Sequence, residues 1–135
     1  MRGYLLDTNH LSDAIQPGSR LPARLGEVMR RRMAVGVCVP VLCELAAGIQ
    51  GLGHPEPYRQ GLTRLLARTR IWPLDLRTAG TYGELFQDLR ARGRALSQVD
   101  LMIAALARQM HLNILTADQD FAMLPDLAIE NWLTP

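Results

Sequence analysis

The sequence contains no lysine, and all fifteen of its basic residues are arginines. This absence excludes P-loop nucleotide sites, receiver domains and phosphatases of the haloacid-dehalogenase type, because each of these needs a lysine. The formal net charge is only +2, so the charge of the whole chain does not by itself indicate a polyanionic partner. The few aromatic residues form no interleaved stacking pattern, so the sequence does not predict an aromatic RNA-binding sheet.

Cysteine and histidine are also scarce. The two cysteines, Cys38 and Cys43, lie within or beside apolar runs, so we expect buried free thiols and no disulfide framework. The three histidines, His10, His54 and His111, do not have the spacing of a zinc site. The pattern therefore argues against a metal site built from histidine and cysteine ligands.

Long apolar runs are missing as well. No stretch approaches the roughly 18–20 apolar residues that a membrane span needs. Asp7, Thr8 and Asn9 interrupt the first apolar run before it could form a signal-peptide core. We therefore expect a cytoplasmic protein with no membrane contact, and the 135 residues predict a single domain, 1–135, with one core.

Short β-rich runs alternate along the chain with longer helical patterns. Strands are predicted at Tyr4–Leu6, Val35–Val39, Ile71–Leu74, Asn113–Thr116 and Leu127–Ile129. Helices are predicted near Thr8 and over 21–29, 41–49, 58–66, 79–89 and 99–107, with a loop over 51–57. Segments 41–49 and 99–107 are apolar nearly all round, so we expect them to be the buried helices. This order predicts the α/β class: a three-layer α/β/α sandwich around a parallel sheet.

Four of the thirteen acids interrupt otherwise apolar segments. Asp7 and Asp118 each follow a predicted strand, whereas Glu44 and Asp100 are the only charged residues of 41–49 and 99–107. Each has a structural alternative: Asp7 and Asp118 could cap helices, Glu44 could complement a helix dipole, and Asp100 could form a capping box with Ser97. For any single acid, both interpretations stay open.

Taken together, the four acids predict a metal-dependent site. In an open parallel sheet, the carboxyl ends of the strands and the first turns of the helices converge on one crevice. Four carboxylates gathered there would repel one another, and a divalent cation that prefers oxygen ligands, Mg²⁺ or Mn²⁺, would neutralise them. Such a site can polarise a phosphodiester and activate a water molecule, which is metal-assisted hydrolysis.

The segments around these acids resemble the motifs of the PIN-domain family, in the same order and at similar spacing. The matching segments are Asp7-Thr8-Asn9, Glu44-Leu45-Ala46-Ala47-Gly48, Asp100-Leu101-Met102-Ile103-Ala104-Ala105 and Thr116-Ala117-Asp118-Gln119-Asp120-Phe121, with Leu127–Trp132 as the closing strand. Within the family, the chain is most similar to the VapC-type toxins. The resemblance implies a five-stranded parallel sheet of order 3-2-1-4-5, with the acidic site at its switch point.

The same resemblance implies a function. A protein of this type is a Mg²⁺- or Mn²⁺-dependent endoribonuclease, the toxin of a type II toxin–antitoxin system, which cleaves RNA, forms a homodimer and is blocked by a cognate antitoxin. Asp7, Glu44, Asp100 and Asp118 carry over as the catalytic, metal-binding carboxylates. Thr8, Asn9 and Thr116 carry over as residues that orient these acids or the substrate. The alternative is a catalytically silent PIN-like module that binds RNA or a partner protein.

Two further acids and three arginines have open roles. Asp120 lies two residues beyond Asp118 and could share or replace its role. Asp75 follows the third strand, which the implied order puts at the sheet edge, so we expect a loop or capping residue there. The arginines that precede the Asp100 helix either end a solvated helix or contact RNA phosphates, which would give salt-dependent binding without base selectivity. These arginines are Arg90, Arg92 and Arg94.

Apolar residues on two of the predicted helices also allow two interpretations. They pack into the core, or they form a groove for the antitoxin or the seam of a dimer. Core packing is the more frequent role of such residues. The residues concerned are Leu25, Met29, Leu62 and Leu66.

Overall fold

The computed structural model describes residues 3–133, in which strands and helices alternate as predicted. The strands are β1 Tyr4–Leu6, β2 Val35–Cys38, β3 Arg70–Trp72, β4 Asn113–Leu115 and β5 Ile129–Glu130. The helices are α1 Thr8–Ala14, α2 Leu21–Arg30, α3 Val39–Gln50, α4 Glu56–Leu66, α5 Leu76–Ala91 and α6 Gln98–Met110, and a 3-10 helix covers Gln119–Met123. All strand pairs are parallel, in the order β3-β2-β1-β4-β5. The predicted sheet and its order are confirmed.

The order of the strands places helices on both faces of the sheet. The chain moves from β1 through β2 to β3 in one direction and then crosses back to β4 on the other side of β1. Because crossovers between parallel strands are right-handed, α1 to α4 cover one face and α5 and α6 cover the other. The loops after β1 and β4 leave the sheet in opposite directions, and such a switch point opens a crevice at the carboxyl ends of the strands.

The two helices expected to be buried differ. In α6, residues 103–107 are all buried, which confirms the prediction for that helix. The prediction is wrong for α3, where only Val41, Leu45 and Ile49 are buried. These three are spaced by four residues and form one stripe, whereas Ala46, Ala47 and Gly48 face outward. Alanine and glycine count as apolar in a sequence, but each has little surface to bury. Burying the outer face of α3 would therefore stabilise the fold only slightly.

Some boundaries lie one or two residues from their predicted places, for local reasons. β2 ends at Cys38 because Val39 begins α3, and Pro40 sits in its first turn, where a missing N–H costs nothing. Similarly, α4 begins at Glu56, inside the segment predicted as a loop. β5 lies at Ile129–Glu130 instead of Leu127–Ile129, because the Leu127 N–H is already bonded to the Leu124 carbonyl in a turn.

The cysteines also behave differently from each other. Both are free thiols, but only Cys38 is buried, whereas Cys43 is exposed. The expectation of a buried thiol is therefore wrong for Cys43, which lies on the outward face of α3. Burial raises the pKa of the Cys38 thiol to about 11.

The apolar residues of α2 and α4 pack into the core, which confirms that interpretation. Leu25 is fully buried, and Met29, Leu62 and Leu66 are partly buried against the same cluster. Within residues 3–133, no helix combines the length and the apolar character needed to cross a membrane.

Candidate active site

Asp7 stands at the switch point, held by groups from two strand ends. It directly follows β1, and its N–H donates to the Leu115 carbonyl of β4 at 2.9 Å. Its Oδ1 accepts from the Thr8 N–H, and its Oδ2 accepts from the Thr116 hydroxyl, each at 2.7 Å. Asp7 therefore caps α1 and is also fixed from the neighbouring strand. Burial raises the pKa of its carboxyl, the charges of Asp118 and Glu44 add to this rise, and the two hydrogen bonds oppose it.

Glu44 reaches the same place from α3. It is exposed in the first half of that helix, and its Oε1 accepts from the Thr8 hydroxyl at 2.7 Å. Thr8 thus donates from its backbone to Asp7 and from its side chain to Glu44. This shared partner brings the two carboxylates together although they are far apart in sequence.

Asp100 lies in the first turn of α6, where its N–H donates to the Ser97 hydroxyl at 3.2 Å. A side-chain hydrogen bond with Ser97 acts to lower the pKa of the Asp100 carboxyl, but burial and the neighbouring charges outweigh it. This pKa is raised to about 6, first by burial and then by the charge of Asp7, with smaller contributions from Asp118 and Glu44. All four predicted acids therefore lie within one electrostatic field.

Asp118 is the fourth member of this group. Its charge raises the pKa of both Asp7 and Asp100, and its N–H donates to the Thr116 hydroxyl at 3.0 Å. It also caps the 3-10 helix, since its Oδ1 accepts from the Asp120 N–H at 2.8 Å. Asp120 thus contacts Asp118 through its backbone N–H, and Asp120 itself is exposed. The contacts favour Asp118 over Asp120 as the fourth acid.

Asn9 and Thr116 join the loops that follow β1 and β4. Thr116 is 2% exposed. The Asn9 Oδ1 accepts from the Ala117 N–H at 3.2 Å. Its amide nitrogen lies 3.4 Å from Asp7 Oδ2 and 3.5 Å from Thr116 Oγ1, distances typical of weak hydrogen bonds. Both residues contact Asp7, so both lie where they can orient its carboxylate.

Within the described part of the chain, none of the four acids forms an ion pair with a basic side chain. The ion pairs within 4.0 Å in residues 3–133 join Arg59 to Glu56, Arg92 to Asp88 and Arg108 to Asp126. In the same range, no three acidic, histidine or cysteine side chains are already close enough to share one ion. Since like charges repel without a counter-ion, the carboxylates would have to draw together around a cation. A donor set made entirely of carboxylate oxygens fits a hard divalent cation.

Asp75 has the capping role expected of it. Its Oδ1 accepts from the Thr78 N–H at 2.9 Å, and the Thr78 hydroxyl accepts from the Asp75 N–H at 3.2 Å. This is a complete capping box at the start of α5. It follows β3, which is an edge strand, away from the switch point.

The three arginines at the end of α5 divide into two kinds. Arg92 donates to the Met123 carbonyl at 3.0 Å and to Asp88 at 3.2 Å, so it ties α5 to the 3-10 helix. Arg90 and Arg94 are exposed and line a small cavity of about 110 Å³ with Leu96. Only these two are left with guanidinium groups available to an anionic ligand. Two further cavities, of about 610 and 540 Å³, share Gly18 and Ser19 of the loop between α1 and α2, and neither is lined by any of the four acids.

His10 also contacts the residues of this site, although it was not predicted from the sequence. It is 0% exposed, and its Nδ1 lies 2.7 Å from Asn9 Oδ1. The sequence gives it only one cue, its position directly after the Asp-Thr-Asn segment.

Comparison with known proteins points to one family. A family model described as PIN domain matches residues 4–127. Ribonuclease VapC2 of Rickettsia felis is 28% identical over 130 residues, covering 96% of this chain and 97% of the relative. Toxin FitB of Neisseria gonorrhoeae is 28% identical over 136 residues, covering 94% and 96%. Among solved structures, that of VapBC2 from Rickettsia felis bound to a promoter DNA fragment contains a chain that superposes with a TM-score of 0.86 at 27% identity, covering 98% of this chain and 99% of its own length.

Proposed function

The chain belongs to the PIN-domain family, and from this premise we propose that it is a metal-dependent endoribonuclease that acts as the toxin of a type II toxin–antitoxin system. The observation that carries the proposal is the electrostatic coupling of four carboxylates from four different segments. Together they form a negatively charged crevice with no basic residue paired to it in the described part of the chain. The two relatives named as a ribonuclease and as a toxin support the activity and the biological role.

Asp7, Glu44, Asp100 and Asp118 would hold the cation, which we propose to be Mg²⁺ or Mn²⁺. Such an ion polarises a phosphodiester and lowers the pKa of a bound water. Hydrogen bonds within the chain orient these acids. Thr8 and Thr116 each donate to one oxygen of the Asp7 carboxylate, and the Thr8 hydroxyl also donates to Glu44. These bonds leave Asp7 Oδ1 with a lone pair that can face the crevice, and the Glu44 carboxylate, which accepts at Oε1, has lone pairs left for a cation as well.

The partners follow from the same proposal. RNA is the proposed substrate, and we propose that a cognate antitoxin covers the crevice; an antitoxin partner is supported by the structures of related chains, which were solved as VapBC2 and FitAB bound to DNA fragments. We further propose a homodimer and a cytoplasmic location, where RNA is available. Arg90 and Arg94 are the residues we assign to the RNA backbone, since Arg92 is engaged within the protein.

Cleavage of a structured RNA, with and without metal, tests the function. The wild-type chain is expected to cleave in Mg²⁺ or Mn²⁺, to stop in EDTA and to recover when the metal is restored. Asp7→Asn and Asp100→Asn should lose cleavage, whereas the control Asp75→Asn, which can still cap α5, should keep it. RNA binding without cleavage at every metal concentration would favour the silent binding module instead.

A further inference from the structure

His10 lies between the catalytic crevice and the last segment of the chain. It is on α1, directly after Asn9, and is completely buried. Its Nε2 lies 3.0 Å from the Trp132 nitrogen, and its Nδ1 lies 2.7 Å from Asn9 Oδ1. The ring is thus bonded at both nitrogens, one facing the closing segment and the other facing the site.

The bonding partners determine where the ring carries its proton. The Trp132 backbone N–H can only donate, so His10 Nε2 must accept. Asn9 Oδ1 already accepts from the Ala117 N–H, which identifies it as the amide oxygen. A neutral imidazole has one donor and one acceptor, so Nδ1 carries the proton and donates to Asn9.

Burial agrees with this assignment. The pKa of His10 is lowered to about 4, mainly by burial; the charge of Asp13 opposes this shift, and the charge of Arg24 contributes to it. A protonated ring would also place an Nε2–H against the Trp132 N–H, two donors facing each other. The neutral ring is therefore the form present at neutral pH.

We infer that His10 is a positioning residue, which holds the Asn9 amide in the one orientation that presents its nitrogen to Asp7 and Thr116. Two donors, His10 Nδ1–H and the Ala117 N–H, fix the Asn9 oxygen on the far side, so a flipped amide would lose both bonds. The inference rests on the proposed function only for its effect on rate, because the hydrogen-bond arrangement itself does not depend on catalysis.

The other end of the ring is anchored by the closing segment. The Trp132 side chain packs against Tyr4 at 5.0 Å between ring centroids and lies under the Arg24 guanidinium at 4.0 Å. These contacts hold the Trp132 backbone against α2 and β1. The orientation of Asn9 is thereby linked to packing on the side of the ring away from the crevice.

Two substitutions separate the two ends of the ring. His10→Asn keeps a donor near the Nδ1 position but loses the acceptor for Trp132, whereas His10→Gln keeps an acceptor near Nε2 but loses the donor to Asn9. We expect His10→Gln to lower kcat about tenfold, the effect of about one lost hydrogen bond, with little change in KM. His10→Asn should retain most of kcat, and the exposed control His54→Gln should behave as wild type.

A double variant tests whether His10 acts through Asn9. If it does, adding His10→Gln to Asn9→Ala should lower kcat no further, whereas independent effects would multiply and overturn the inference. Nitrogen NMR of the metal-free wild-type chain gives a readout that needs no activity and no buried substitution. The inference requires the proton on Nδ1, and a proton on Nε2 would overturn it. A wild-type chain that cleaves no RNA would instead contradict the proposed function.

Discussion

Asp100 carries a carboxylate whose surroundings oppose its charge. Its pKa lies at about 6 instead of the ordinary 3.8, so the folded state holds a proton more tightly than the unfolded chain does. The ionised form therefore destabilises the fold above pH 6, and this cost disappears below about pH 4. Asp100→Asn in EDTA should raise the free energy of unfolding by about 1–2 kcal/mol at pH 7.5, after allowance for solvent screening.

Denaturant unfolding at pH 7.5 and at pH 4 measures this effect. The gain should be present at the higher pH and absent at the lower one, while the exposed control Glu84→Gln should change neither value. A loss of stability for Asp100→Asn at pH 7.5 would contradict the crowding of charge in the crevice.

The residues of the site differ in how visible they are in the sequence. Asp7, Glu44, Asp100 and Asp118 could be selected because each interrupts an apolar segment, a pattern that burial alone does not favour. His10 could not be selected, because its role depends on the Trp132 backbone, which is 122 residues away. A bond between distant backbone and side-chain atoms leaves no trace in local spacing.

The capping box of α5 is a feature of one element, and its effect should stay there. Asp75→Ala removes the acceptor for the Thr78 N–H, so the melting temperature should fall by several degrees. Asp75→Asn, which keeps an oxygen acceptor at the cap, should melt close to wild type. Thermal melts compare the two, and RNA cleavage below the melting range should be equal in both. Loss of cleavage in Asp75→Asn would instead place this acid in the site.

The sequence predicted which segments are helices or strands and their order, but not which face of a helix is exposed. The spacing of Val41, Leu45 and Ile49 correctly indicates a helix. The apolar residues between them predicted a helix buried on all sides, whereas α3 is buried on one side only. What decides burial is the area each side chain can remove from water, together with the neighbours available to cover it. Those neighbours belong to other elements, so local sequence does not identify them.

At the scale of the whole molecule, the net charge of only +2 means that the RNA binding we propose must come from local positive groups. If Arg90 and Arg94 contact the RNA backbone, replacing both with glutamine should reduce the magnitude of the slope of log affinity against log salt concentration by about 1–2. Binding of RNA to a metal-free Asp100→Asn background at several salt concentrations measures that slope. The exposed control Arg77→Gln should leave it unchanged, and an unchanged slope in the double variant would remove both arginines from the interface.

The arrangement of the whole sheet was predicted more fully than the exact ends of its strands. Alternation of strands and helices predicts a parallel sheet, but the order 3-2-1-4-5 came from the family resemblance and is confirmed here. Physical rules on crossover handedness then fix which helices share a face. The switch point between β1 and β4 explains why acids from distant segments lie around one crevice.

The contrast between the two thiols has a practical consequence. Cys38 is buried with its pKa near 11, and Cys43 is exposed beside Glu44, so a maleimide dye at neutral pH will attach at a single position. That dye would sit on α3 one residue before Glu44, a proposed cation ligand, without any engineered cysteine. Quenching of its fluorescence by paramagnetic Mn²⁺, but not by Mg²⁺, would then report ion occupancy in the unmodified sequence.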